Sequence, residues 1–286
     1  MRAPKKGVQD VKKEASMGAF KRFCDFCCGI ALFVACFFLF REFMIFRPEG
    51  DPTLREKLKL FFFENTWRDY RPYLGLLGLL VLSLLVGAIA RRWSSIGFAF
   101  AALPFLHVLS MLGRDILYER PMLYVLLTAL PLVGNLFDAI TRDRDDGRHR
   151  SFVLANVSSL LVLLFAALVL WRASVAIPTD DMPLAEMKAF DRTVAAAALE
   201  NDLSFLRHYA IAYAVGIGIS LCFCGAYWID LILAALPLVA ALRQQLFGTL
   251  GPHSELLLAL MILCLVCRLA LTVAGTGWKK KSKNKQ

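Results

Sequence analysis

Cysteines at helical spacing form the clearest chemical pattern in this sequence of 286 residues. Cys24 and Cys27 form one C-x-x-C pair, and Cys264 and Cys267 form a second. Residues three apart lie on one face of a helix, so each pair could bind a soft metal ion or exchange disulfides. Apart from Asp25, no histidine or acidic cluster completes a closed zinc site, and buried cysteine also serves as a small apolar packing residue. The four cysteines are therefore either weak candidates for metal ligands or packing residues. The sequence predicts no cofactor.

Four of the polar side chains inside apolar segments are candidates for a substrate or ion pathway: His107, Asn135, Asp138 and Arg268. Ionisable groups within a membrane are costly and commonly mark such pathways. His107 titrates near neutrality and could carry a proton, although a neutral histidine bonded to a neighbouring helix is the simpler alternative. Asp138 stands near the C-terminus of its segment, where the helix dipole disfavours a negative charge, so we predict a cross-helix pair between Asp138 and Arg268.

Three prolines stand near the middle of apolar segments: Pro104, Pro131 and Pro237. Proline within a helix removes one backbone hydrogen bond, and in lipid the freed carbonyl needs protein or water as a partner. Kinked helices around a central cavity or gate are therefore one interpretation. Ordinary kinks that shape helix packing are the other.

Eight apolar segments must position these side chains, since a hydrocarbon core of about 30 Å requires around 20 helical residues. They cover residues 24–40, 73–90, 96–112, 121–140, 152–171, 207–227, 229–246 and 256–274. Most links between them are short, which favours antiparallel neighbours. The sequence thus predicts an all-α, polytopic membrane bundle of about eight helices, with one transmembrane domain over residues 23–278.

Two longer links carry amphipathic patterns of their own. Residues 53–63 and 183–199 each place apolar side chains on one helical face and charges opposite. We expect loop helices in both places, either lying on the membrane or capping the bundle.

The net charge of +10 is confined to the two tails. Residues 1–22 and 279–286 each carry a net charge of +5, whereas the residues between them are neutral overall. Basic residues favour the cytoplasmic side and attract anionic lipids, so we expect both tails in the cytoplasm, and eight spans agree with this because an even number places both tails on the same side. Nucleic-acid binding is not expected, because the bases do not lie on a folded module.

Residues 127–136 and 233–242 resemble each other, agreeing at seven of ten positions. Spans 2–4 and 5–7 could then be inverted three-helix repeats, as in many secondary transporters. A chance match between segments rich in leucine and alanine is the alternative.

The composition excludes a soluble enzyme, a secreted disulfide scaffold and a disordered chain, because 58% of the residues are hydrophobic. Three functions stay open. The first is a small transporter in the plasma membrane, with its site between proline-kinked spans. The second is a non-catalytic assembly or regulatory subunit that binds a membrane partner or a second copy of the chain. The third is a membrane thiol or metal enzyme built on the C-x-x-C pairs.

Overall fold

Helices account for all the regular structure in the part of the chain that is described, as the apolar pattern predicts. The computed structural model describes residues 8–46, 50, 52–61, 67–89, 94–114, 121–141, 147–176 and 189–222, then short helical stretches between 231 and 273. Seven helices are bounded in these ranges: α1 (Val8–Ile45), α2 (Leu54–Lys59), α3 (Trp67–Ile89), α4 (Ser94–Leu112), α5 (Pro121–Thr141), α6 (Gly147–Ala176) and α7 (Ala189–Cys222).

Four helices among the described residues are long and apolar enough to cross a membrane. They are Arg22–Ile45, Tyr70–Ile89, Ser95–Leu112 and Ala196–Cys222. Shorter apolar helices cover Pro121–Phe137, Ser159–Ser174 and Met261–Ala270. The helical class and these four candidate spans are thus established, whereas the count of eight stays a prediction.

The second predicted loop helix, residues 183–199, is described only from residue 189. Residues 189–199 are the first turns of α7, which continues without interruption to Cys222. The alanines at 195–198 favour the helix, and no proline occurs within it to break the hydrogen-bond ladder. Within the first predicted loop helix, residues 54–59 form α2.

The chain divides into two units, residues 1–105 with 126–143, and residues 106–125 with 144–286. In the first unit, α1 and α3 run antiparallel. Phe38 stacks on Tyr73 with ring centroids 4.6 Å apart, and Tyr70 donates a hydrogen bond from Oη to Oε2 of Glu42 at 3.1 Å. Because a higher residue of α1 meets a lower residue of α3, the two helices point in opposite directions.

One face of α1 packs inward and the other is exposed. Small residues and cysteines form the buried face, with Cys24, Cys28, Ala31 and Ala35 all nearly inaccessible. The exposed face carries large apolar side chains, namely Phe23, Phe26, Phe33, Phe37 and Phe40. In water such a face would be a liability, but in a bilayer it contacts lipid or another membrane helix.

In the second unit, α6 and α7 also run antiparallel. Asn156 near the start of α6 meets Tyr213 on the second half of α7. Further along α6, Leu163 and Ala166 line the same small cavity as Phe205, which lies two turns earlier on α7. This antiparallel packing brings the N-terminal part of α6 to the same level as the C-terminal part of α7.

Candidate functional site

A buried hydrogen-bond network in the second unit joins α6, α7 and the helical stretch around residue 268. Nη2 of Arg268 donates to Oδ1 of Asn156 at 2.6 Å and to Oη of Tyr213 at 3.3 Å. The hydroxyl of Tyr213 donates to the same Oδ1 at 2.8 Å. Asn156 in turn donates from Nδ2 to the carbonyl oxygen of Phe152 at 2.8 Å, which fixes its amide. Each of the three side chains is therefore held by the other two.

These three residues are withdrawn from the surface of the unit. Arg268 is 4% exposed, Tyr213 is 4% exposed and Asn156 is fully buried. A guanidinium keeps its positive charge under all ordinary conditions, so the network places a permanent charge inside an apolar chain. Such a charge attracts anions and repels cations.

An aromatic column on α7 leads to this charge. The rings of Phe205, Tyr209 and Tyr213 recur every four residues and stack, with successive centroids 6.2 Å apart. Cζ of Arg268 lies 5.5 Å from the centroid of the Tyr213 ring, within the range of a cation–π interaction. Tyr213 therefore contacts Arg268 through both its ring and its hydroxyl.

A cavity of about 10 Å³ lies beside the column between α6 and α7. Its lining is apolar and consists of Val162, Leu163, Ala166, Phe205, Leu206, Tyr209 and Met261. A space of this size holds about one water molecule. A solute larger than water would therefore require α6 and α7 to move apart.

Asn135 and Pro131, two predicted site residues, lie in contact on α5 in the first unit. Nδ2 of Asn135 donates to the carbonyl oxygen of Pro131 at 2.8 Å, and both residues are buried. Oδ1 of Asn135 lies against Gly97 of α4, where an added Cβ would stand 3.0 Å away. Asn135 of α5 therefore packs against α4 at Gly97.

The other predicted pathway residues are only partly placed. α4 continues past the buried Pro104, and α5 continues past Pro131. His107 is half-buried on α4. Pro237 and the side chain of Asp138 lie outside the described residues, so the pair between Asp138 and Arg268 stays a prediction.

The cysteines of the first C-x-x-C pair are packed into the buried face of α1. Cys24 and Cys27 are buried there, and Cys264 is buried in the second unit. Among the described residues, no group of three or more histidine, cysteine, aspartate or glutamate side chains is placed to hold a metal ion. Cys267 lies outside the described side chains, and the metal hypothesis stays a prediction.

Sequence reasoning identified Arg268 but missed both of its partners. Asn156 was not among the polar candidates, and Tyr213 was one of several aromatic residues in its segment. The available signal was the amide of Asn156 within an apolar segment, since polar side chains often bond across membrane helices. That signal gives no partner, because it carries no information on which helices are neighbours.

Comparisons of the chain with models of known families, with curated proteins and with solved structures find no match. A functional conclusion for this chain therefore depends on the geometry of Arg268, Asn156 and Tyr213.

Proposed function

We propose that this chain is a multi-span transporter that binds an anionic solute at Arg268. The observation that carries the proposal is the nearly complete burial of the Arg268 side chain among α6, α7 and its own helical stretch. Placing a charged side chain at the centre of a membrane costs roughly 2.5 kcal/mol on the lowest scales and more on others. Ionisable residues within membrane helices commonly mark substrate or ion pathways, and binding of a negatively charged solute is the role that fits the sign of this charge.

The partners of Arg268 suit it for binding. Asn156 and Tyr213 hold Nη2 in place through neutral oxygens. A group held in this way loses little further entropy when a ligand arrives, which favours recognition. The small cavity between α6 and α7 lies beside Tyr209, one turn from Tyr213, and we propose that an anion reaches Arg268 when these two helices separate.

We place this site near the middle of an eight-span bundle in the plasma membrane, with both tails in the cytoplasm. Asn156 follows the start of α6 by nine residues, and Tyr213 precedes the last residue of α7 by nine. At 1.5 Å per residue, both lie roughly 14 Å from the helix ends on that side. The two basic tails support the orientation.

Transport is tested in proteoliposomes on a solid-supported membrane, with gradients of chloride, phosphate, acetate and succinate applied in turn. At least one of these anions is expected to produce a current in the wild type. Arg268→Gln should abolish that current, whereas Arg268→Lys should retain part of it because the charge remains. Arg172→Gln, at an exposed arginine of α6, is the matched control. Currents of equal size in wild type and Arg268→Gln would exclude the arginine as the binding group.

Orientation is tested separately in a cysteine-free background. Ser282→Cys in the C-terminal tail should resist a membrane-impermeant maleimide in intact cells and react after lysis. Thr179→Cys, in the link predicted to lie outside, should react in intact cells. The opposite labelling pattern would reverse the proposed topology.

A second candidate function follows from the exposed phenylalanine face of α1. Five phenylalanines on one helical face give a broad apolar surface that another membrane helix could cover. The chain would then be the assembly or regulatory subunit of a membrane complex. Stable co-purification of a partner, lost when Phe33 and Phe37 are replaced by alanine, would favour this function, and a clean monomer would count against it.

A further inference from the structure

The turn that follows α4 packs against α7 without room for a side chain. The backbone N–H groups of Gly113 and Arg114 close this turn by donating to carbonyl oxygens of α4 at 3.0 Å. A Cβ on Gly113 would lie 2.5 Å from the Cβ of Arg207 and 2.5 Å from the carbonyl oxygen of Leu203. Since atoms cannot approach so closely, only glycine fits, and the turn rests directly on the backbone of α7.

This contact brings the backbones of two arginines close together. Arg114 is the next residue after Gly113, and Arg207 is the residue of α7 that Gly113 touches. Arg114 is exposed and Arg207 is half-buried. Partial burial and then the neighbouring charge of Arg207 lower the pKa of the Arg114 guanidinium, as expected for two close positive charges.

Neither charge is neutralised by a carboxylate within the described part of the chain. No ion pair there includes Arg114 or Arg207. Nε of Arg207 is buried and has no hydrogen-bond partner among the described residues. The two positive charges repel each other and Nε of Arg207 lacks a partner among these residues, and an anion between the two side chains would relieve both costs.

We propose that Arg114 and Arg207 form a binding site for a phosphate group where α4 ends. A phosphate carries enough charge and enough acceptor oxygens to engage two planar guanidiniums at once. Arg114 is exposed and follows Leu112, the last residue of the candidate span Ser95–Leu112, whereas Arg207 lies within the candidate span Ala196–Cys222. The exposed end of the site at Arg114 is open both to phospholipid headgroups and to dissolved phosphate. This site does not depend on the proposed role of Arg268.

Two probes distinguish the sources of the phosphate. Native mass spectrometry of the purified full chain measures binding of dioleoylphosphatidylglycerol, with dioleoylphosphatidylcholine as the uncharged comparison. Thermal unfolding in detergent measures stabilisation by inorganic phosphate, with chloride at equal ionic strength. Lipid binding alone assigns the site to a headgroup, and stabilisation by phosphate alone assigns it to the free ion.

Variants at both arginines test the site itself. Arg114→Gln should weaken binding of the effective probe by about tenfold or more, because one charged donor group is lost. Arg114 is exposed, so this variant should fold, and Arg207→Gln provides a second test. Arg172→Gln is the control, at a single exposed arginine, and both basic tails are the same in all variants. Unchanged binding of both probes in Arg114→Gln and Arg207→Gln, or no binding in the wild type, would overturn the proposal.

Discussion

Nη2 of Arg268 lies 2.6 Å from Oδ1 of Asn156, although 112 positions separate the two residues. The same oxygen accepts the hydroxyl of Tyr213, so one amide carbonyl joins three helical segments. This arrangement makes Asn156 the central acceptor of the network.

Replacement of Asn156 by alanine should therefore destabilise the chain. The guanidinium and the tyrosine hydroxyl would both lose a buried acceptor, which costs about 1–3 kcal/mol. Unfolding by SDS in mixed micelles measures the change. Asn201→Ala, at an exposed position of α7, should have little effect. Equal losses in the two variants would mean that the network contributes nothing specific.

Two glycines should respond to alanine with opposite signs. Gly113→Ala forces a Cβ against the backbone of α7 and should cost about 1–3 kcal/mol. Gly218 of α7 has no heavy atom within 4 Å of an added Cβ, so Gly218→Ala should stabilise the helix by up to about 1 kcal/mol. Melting temperatures in one detergent give both signs. A neutral Gly113→Ala would show that the turn is not in contact with α7.

The contact between Gly97 and Asn135 should show coupling in a double-mutant cycle. Gly97→Ala places a Cβ 3.0 Å from Oδ1 of an amide that is tied to Pro131, so we expect a loss of about 1 kcal/mol. Asn135→Ala removes that oxygen, so Gly97→Ala should cause little further loss of stability in the Asn135→Ala background. If the two losses of stability add in the same unfolding measurement, Gly97 and Asn135 do not interact.

The stability of the first turn of α2 should depend on pH, because it includes the ionised carboxyl of Glu56. Hydrogen bonds from the Thr53 hydroxyl and then from its backbone N–H hold the pKa of Glu56 below its ordinary value of 4.5. A carboxyl whose pKa is lowered by folding stabilises the helix at pH values above its unfolded pKa. This contribution is lost as the pH falls through the folded pKa. Thr53→Ala should return the Glu56 pKa toward 4.5, whereas Thr53→Ser should keep it low.

Titration of the Glu56 carboxyl by carbon NMR, with amide exchange across α2, measures this effect. An identical Glu56 pKa in wild type and Thr53→Ala would show that the capping box is absent in solution.

The helices themselves could be predicted from local sequence. The apolar segments at 73–90, 96–112 and 121–140 correspond closely to α3, α4 and α5, because a long apolar run in lipid must satisfy its own backbone hydrogen bonds. Thr53 and Glu56 form a capping box, which the sequence motif Thr-x-x-Glu predicts. Both features depend only on neighbours along the chain.

Arg268 could likewise be singled out from the sequence, because a charge within an apolar segment is conspicuous. Its partners could not, since Asn156 and Tyr213 belong to segments whose lateral order and rotation are set by packing. Gly113 gave no signal either, because its close approach to α7 depends on how far α4 extends before the turn. Local hydrogen bonding thus determined the elements, whereas side-chain packing between distant segments decided which polar groups meet.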